Sequence, residues 1–199
     1  MNPLHLIFTA YAEKYGLTIQ SERSFKLHIK QIETGTLYAF DPLELPSPDK
    51  LFELTSLLGF NETTNVSIAR NLSEANLIGV SIPDLEQTPG CNFYLEFWDK
   101  VCQTVSSPNY RDEALLMYLG YKLKTNKNTI VDNYYCQPLI TPTEITNRIG
   151  QLYTSPEDQT LLNLIQKLIL EASTMISNRD SFIYLEVENE NSGRRSFDV

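Results

Sequence analysis

The sequence predicts a single α+β domain in which antiparallel β-hairpins alternate with amphipathic helices. The chain has 199 residues, a length typical of one domain. Several segments alternate apolar and polar residues with a period of two, which is typical of half-buried strands, and turn residues separate these segments in pairs. The intervening segments carry apolar residues at helical spacing. Hairpins of this kind favour an antiparallel sheet with helices on one face, and such a sheet is able to curve toward a partial barrel.

The first quarter of the chain predicts a helix, a hairpin and a second helix. Residues 4–15 carry an amphipathic pattern that Gly16 ends. Residues 24–32 alternate strictly, and residues 36–40 follow a turn as the hairpin partner. Ser47 then begins a helix, because serine is a good N-cap and the proline after it suits the first helical position.

The middle of the chain predicts two more hairpins. Residues 61–71 are polar and fit either a loop or a short helix. Residues 77–82 and 92–98 read as paired strands, the second alternating apolar and polar side chains up to its tryptophan. Residues 115–124 and 129–137 predict the third hairpin, around an Asn-Lys-Asn turn.

The last third predicts two helices and a final pair of strands. Thr141 and Glu144 have the spacing of a capping box, and Ser155 begins a helix with the strongest apolar periodicity in the chain. Residues 182–188 predict a strand, and residues 194–199 begin its partner. We interpret the chain as one domain, either whole or part of a longer protein.

Composition and charge exclude several classes of partner. The formal net charge is −9 and the calculated isoelectric point is 4.7, which disfavours binding to nucleic acid and to anionic membranes. The first apolar segment is too short to span a bilayer. Three cysteines without short-range pairing, and two separated histidines, predict a cytoplasmic protein with reduced thiols and with no metal or cofactor.

The sequence leaves the oligomeric state open. An unpaired edge strand near Val199 makes strand-mediated dimerisation one option. His5 is interpreted as a surface or packing residue of the first helix, and His28 as a solvated strand residue. Cys91 and Cys102 are interpreted as packing residues rather than nucleophiles.

Polar and aromatic residues of four predicted strands fall on one parity. They are Lys26, His28 and Lys30; Tyr94, Glu96 and Trp98; Tyr118, Lys122 and Lys124; and Tyr184, Glu186 and Glu188. One interpretation is a solvated sheet face, where lysine, glutamate and tyrosine are common. The other is a binding face, in which lysines hold an anionic group, aromatic rings form walls and Glu96 is a candidate base.

The alternation of hairpins with helices resembles the aromatic prenyltransferases of the α-β-β-α barrel class. The residues that carry the resemblance are the strand Ser24-Phe25-Lys26-Leu27-His28-Ile29-Lys30 and the tyrosines Tyr94, Tyr118 and Tyr184. The resemblance implies that Lys26, Lys30 and Lys122 contact an isoprenoid diphosphate. It also implies that the tyrosines shield an allylic cation, as ring faces do for cations, and that Glu96 takes the proton from an aromatic acceptor.

Two functions of different classes remain. The first is a non-catalytic binding or adaptor domain whose polar-aromatic face takes a protein partner or a small molecule. It is favoured because the phosphate-binding loops, the dinucleotide-binding turn and the nucleophile elbow are all absent from the sequence. The alternative is a prenyltransferase-like enzyme that transfers an isoprenoid from its diphosphate to an aromatic acceptor.

Overall fold

The computed structural model confirms the α+β class. The structure describes residues 2–28, 31–85, 90–124, 126, 128–175, 183–189 and 195–198. Within these residues it has six α-helices and eight strands, and the strands follow one another in sequence order in one antiparallel sheet. Residue contacts group the chain into two units: unit 1 (residues 1–100 and 118–132) and unit 2 (residues 101–117 and 133–199). The single-domain assignment stays a prediction.

The helices and strands alternate along the chain. The helices are α1 Pro3–Tyr15, α2 Pro48–Leu57, α3 Glu62–Leu72, α4 Trp98–Val105, α5 Pro142–Leu152 and α6 Gln159–Met175. The strands are β1 Gln20–His28, β2 Gln31–Phe40, β3 Leu77–Pro83, β4 Asn92–Glu96, β5 Leu115–Leu123, β6 Thr129–Cys136, β7 Leu185–Asn189 and β8 Arg195–Asp198. Short 3₁₀ turns lie at Pro42–Glu44 and Pro156–Asp158.

The core of unit 1 lies on one face of its sheet. Alternate residues of β3 and β4 are fully buried there: Ile78, Val80, Ile82, Phe93 and Leu95. Helix α1 covers this face through Phe8, whose ring stacks on Tyr38 at 4.6 Å between centroids. Helix α3 adds polar contacts, since the Ser67 and Tyr121 hydroxyls lie 3.2 Å apart. The apolar parity in the sequence therefore identified the helix-covered face.

Local capping signals in the sequence match the helix ends. Helix α1 ends at Gly16, which has the left-handed conformation with φ of 66°. Helix α5 begins with the predicted capping box, in which the Thr141 hydroxyl accepts from the Glu144 backbone N–H and the Glu144 carboxylate accepts in return. The ambiguous segment 61–71 is helix α3, capped by the Asn61 side chain.

The strand predicted over residues 92–98 is wrong at its end. Strand β4 stops at Glu96, and Trp98 is the first residue of α4. The backbone N–H of Asp99 donates to the Asn76 side-chain oxygen at 3.3 Å, so the helix is capped from a distant residue. No local pattern reports a cap supplied from more than twenty residues away.

Unit 2 has its own apolar core. Helices α5 and α6 pack through Ile145, Ile149, Leu162 and Ile169, and Tyr184 completes the buried cluster. The predicted final strand begins at Leu185, and residue 182 lies outside the described residues.

Replacing Gly90 should destabilise unit 1. Gly90 has φ of 126°, and an added Cβ would lie 2.3 Å from the Leu123 carbonyl oxygen. Both the positive φ and the close contact with the Leu123 carbonyl oppose a side chain at this position. Gly90→Ala should therefore lower the free energy of unfolding by about 1–3 kcal/mol. Urea denaturation measures this change.

The control is Gly150→Ala within helix α5. Its added Cβ meets only the Gln166 side chain at 3.4 Å, and alanine favours helices over glycine by up to about 1 kcal/mol. Gly150→Ala should therefore leave stability unchanged or raise it. Equal destabilisation by the two variants would contradict the stated reason for Gly90.

Acid should weaken the contact between α1 and α2. The Lys14 ammonium donates to Glu53 at 2.6 Å, and the Tyr15 hydroxyl donates to the other carboxylate oxygen at 2.6 Å. These hydrogen bonds lower the pKa of Glu53 from 4.5 to about 2. Because the unfolded state binds this proton first, the stabilisation is present above pH 4.5 and is lost as pH falls toward 2.

The measurement compares thermal unfolding of the protein and Glu53→Gln across this pH range. The difference between the two should shrink as the pH falls. A difference that stays constant would contradict the assigned role of the Glu53 carboxylate.

Candidate ligand-binding face

The face of the unit 1 sheet opposite the helices carries four of the predicted residues: Tyr94, Glu96, Tyr118 and Lys122. Strand pairing places them in three rows with their neighbours: Leu37, Ser81, Asn92 and Lys122; Ala39, Gly79, Tyr94 and Gly120; and Leu77, Glu96 and Tyr118. We call this set the Tyr94 face. Because side chains alternate between the two faces of a strand, the pairing that buries Ile78 and Phe93 also places these rows on the other face.

Tyr94 sits in a row of residues with little or no side chain. Gly79 pairs with it on β3 and Gly120 pairs with it on β5. A Cβ added to Gly79 would lie 3.3 Å from the Tyr94 Cβ and 3.5 Å from the Leu37 Cδ1. The tyrosine therefore packs against the glycine backbone and remains partly exposed. Glycine inside a strand is common where a ligand or another backbone comes close.

Glu96 is held at the end of β4. Its carboxylate accepts a hydrogen bond from the Asn76 amide at 2.9 Å, and its carbonyl accepts from the Asn76 backbone N–H at 2.9 Å. Tyr118 lies directly opposite on β5. The candidate base and one predicted tyrosine wall are thus brought together, and the carboxylate is oriented by Asn76.

Lys122 is neutralised by a neighbour. Its ammonium forms an ion pair with the Asp132 carboxylate, and the side chain of Asp132 is nearly buried. A buried or half-buried ion pair is costly to break, because each charge would then lack its partner. Lys122 therefore serves better as part of a hydrogen-bonding pair than as an anion-binding cation.

The predicted residues of the first hairpin are only partly described. Lys26 and His28 belong to β1, where they pair with Glu33 and Gln31 across the hairpin. The positions of their side chains lie outside the described part of the structure. Lys30 lies outside the described residues.

Trp98 is not on a strand. It begins α4, and 38% of its surface is exposed. The expectation that it continues the alternation of β4 is wrong, because the strand ends two residues earlier. Trp98 is a partly exposed aromatic residue that follows Glu96 of the Tyr94 face by two positions in the chain.

Tyr184 comes immediately before β7 and is fully buried, contrary to its predicted place on the polar-aromatic face. Its ring is fully buried in the cluster of α5 and α6. Its hydroxyl donates to Glu186 at 3.3 Å, and the same carboxylate oxygen accepts from Arg148 of α5 at 2.9 Å. Leu185 and Val187, on the opposite parity, are buried as well, so alternation does not separate a core face from a polar face here. Arg148 supplies a partner for the buried Glu186 carboxylate.

A polar network around His5 was missed by the sequence interpretation. His5 is buried, and its Nδ1 lies 2.9 Å from the Tyr38 hydroxyl. Its Nε2 lies 3.6 Å from Asp84, whose carboxylate also accepts from Arg23 at 2.7 Å. The Thr34 hydroxyl and Arg23 lower the pKa of Asp84. These partners come from four different segments, so local patterning carried no signal for the network.

The described residues show neither a metal cluster nor a membrane-spanning helix. Among them, no group of three or more histidine, cysteine, aspartate or glutamate side chains could hold a metal ion. None of the helices in the described part of the chain has the length and apolar character needed to cross a membrane.

Comparisons with known proteins identify no relative. No protein-family model matches the chain, and neither the curated proteins nor the solved structures contain a match. The function is therefore inferred from the chemistry of the site.

Thiol reactivity should separate the three cysteines. Burial raises the pKa of Cys91 to about 12, and burial together with nearby Cys102 raises the pKa of Cys136 to about 11. Cys102 is exposed. Because the thiolate is the reactive form, only Cys102 should react quickly with a disulfide reagent at pH 8 in the folded protein.

The readout is the number of thiols that react before and after denaturation. Cys102→Ser should remove the fast-reacting thiol. Fast reaction of a second thiol in the folded protein would contradict the burial of Cys91 and Cys136.

Proposed function

We propose that this protein is a non-catalytic binding domain that holds a small, uncharged molecule with an apolar ring on the Tyr94 face. The supporting observation is the row Ala39, Gly79, Tyr94 and Gly120, in which small residues surround one aromatic ring. Small neighbours let a flat ligand approach both the ring and the backbone beside it. Aromatic rings also favour stacked or edge-on contacts with other rings.

The charges on this face favour an uncharged ligand. Among the described side chains of the Tyr94 face, Lys122 is the cation and it is paired with Asp132. An anionic ligand would compete with that carboxylate, whereas hydroxyl or amide groups can hydrogen-bond to the existing pair. Glu96 and Asn76 supply further polar contacts at the end of β4.

Thermal unfolding with a ligand panel tests the proposal. The panel holds uncharged aromatic compounds and geraniol, together with geranyl diphosphate and pyrophosphate. A ligand that binds only the folded state adds about 2.7 kcal/mol at one hundred times its dissociation constant. For a chain of this size that corresponds to a rise in melting temperature of roughly 5–10 °C. We expect at least one uncharged compound to produce such a rise, and pyrophosphate to produce none.

Tyr94→Ala should weaken that binding by about tenfold, since the variant loses both the buried area of the ring and a stacking contribution of about 0.5–1.5 kcal/mol. The matched control is Tyr110→Ala, which removes a tyrosine of unit 2 whose hydroxyl donates to the Glu113 carbonyl. Isothermal titration of both variants with the best compound decides the matter. Equal affinity in Tyr94→Ala and the unaltered protein would remove the Tyr94 face as the binding site.

A prenyltransferase-like activity is the second candidate, and the order of the elements supports it. A helix, a strand pair and further helices alternate from α1 to β8, and the strands keep sequence order in the sheet. This is the layout that the resemblance implies. In this reading Lys26, Lys30 and Lys122 hold the diphosphate, Tyr94 and Tyr118 shield the cation, and Glu96 takes the proton.

The same ligand panel separates the two candidates. A transferase should be stabilised more by geranyl diphosphate than by geraniol, and Lys26→Ala should abolish the difference. Mass spectrometry of an aromatic acceptor incubated with geranyl diphosphate should then show the prenylated product. If geraniol binds at least as well as its diphosphate and no product forms, the binding domain is retained.

A further inference from the structure

Helix α6 exposes a stripe of apolar side chains. Leu161, Leu164, Leu168 and Met175 expose 58%, 53%, 56% and 85% of their surfaces. At 100° per residue these four positions fall within about 60° of one another around the helix. The buried positions Leu162 and Ile169 lie on the adjoining side of the helix. Helix α6 therefore has one apolar face in the core of unit 2 and a second one beside it that faces solvent.

An apolar cavity adjoins the beginning of this stripe. It has a volume of about 240 Å³ and is lined by Tyr153, Leu161, Leu162, Ile165 and Phe197. The rings of Tyr153 and Phe197 form its wall, with an edge-on contact at 5.7 Å between centroids. The most exposed side chain of the stripe, Met175, lies at the other end of the helix, about 21 Å away along its axis.

The charges of α6 differ from those of the whole protein. The chain carries a net charge of −9, but α6 contains only one lysine and one glutamate and is neutral overall. Lys167 and Glu171 lie on the same flank of the stripe, with their charged groups 3.7 Å apart. This helix is thus a surface on which two acidic molecules can meet without strong repulsion.

We propose that α6 is the interface of a homodimer in which the two α6 helices pack antiparallel. A two-fold axis near Leu168 places Met175 of one copy beside Leu161 of the other, at the mouth of the apolar cavity. Methionine is flexible and fills irregular apolar spaces. Each copy supplies one projecting side chain and one cavity, so the contact closes on itself and forms a dimer rather than a filament.

The charged flank fixes the antiparallel direction. In an antiparallel helix pair each flank faces the same flank of the partner. Lys167 of each copy therefore meets Glu171 of the other copy. In a parallel pair this flank would face the core-side flank, which carries Ile165 and Ala172. Complementary charges beside an apolar seam are a known determinant of helix orientation.

The mass of the protein in solution tests the interface. The stripe is small compared with standard interfaces, so a concentration series from about 1 µM to about 500 µM is needed in analytical ultracentrifugation. The protein should pass from monomer to dimer, and Leu168→Glu should remain monomeric. Leu170→Glu is the matched control, because Leu170 is also exposed but lies on the opposite side of α6.

Three results would overturn the proposal. They are a monomer at the highest concentration, a dimer that persists in Leu168→Glu, or equal loss of dimer in Leu170→Glu. Circular dichroism of each variant confirms that a monomeric result reflects the interface and not unfolding.

Cross-linking tests the direction of packing. In a Cys102→Ser background, Leu161→Cys and Met175→Cys variants are mixed and treated with a short bismaleimide. An antiparallel dimer gives the mixed cross-link between the two variants and little product with Leu161→Cys alone. Efficient cross-linking of Leu161→Cys to itself would overturn the antiparallel arrangement.

Charge exchange gives an independent readout. Lys167→Glu places two glutamates opposite each other and should raise the dissociation constant about tenfold. The double variant Lys167→Glu with Glu171→Lys restores the opposite charges and should recover dimerisation. A double variant that dimerises no better than Lys167→Glu would overturn the proposed pairing.

Discussion

The antiparallel register of β3 against β4 is the constraint on which unit 1 depends. Val80 lies opposite Phe93, and both side chains enter the core. Gly79 lies opposite Tyr94, and both of these residues belong to the other face. A slip by one residue would bury Tyr94 and expose Phe93, at a cost of several kcal/mol in lost apolar burial. The same register therefore fixes the core and assembles the Tyr94 face.

Apolar packing and polar contacts together hold helix α1 on the sheet. Helix α1 is held on the sheet by the stacking of Phe8 on Tyr38, and the hydroxyl of that tyrosine is satisfied by His5. Asp84, after β3, adds contacts to His5 and Arg23. A buried hydroxyl or imidazole without a partner would oppose burial of this helix, so the network and the apolar stack depend on each other.

The two units present different kinds of surface. The Tyr94 face of unit 1 combines aromatic rings, glycine and a closed ion pair, which suits a small ligand of mixed character. Helix α6 of unit 2 presents leucine and methionine with almost no charge, which suits another apolar helix. Large apolar stripes that face water are uncommon unless a partner covers them.

Local patterns in the sequence determined the type and order of nearly every element. The Thr141 capping box, the Gly16 helix end and the strand parity all act between neighbouring residues, and so they can be recognised without a structure. They also placed Tyr94, Glu96, Tyr118 and Lys122 on one face of the sheet, because alternation is a property of the strand itself.

Only the tertiary structure decided which groups satisfy one another. Asn76 caps α4 and so ends β4 before Trp98, Asp132 neutralises Lys122, and Arg148 makes a buried place for Tyr184 and Glu186. Each of these results depends on a partner from a separate segment. The sequence determined the elements and their faces because those follow from local geometry, whereas charge pairing and burial depend on what the folded chain brings together.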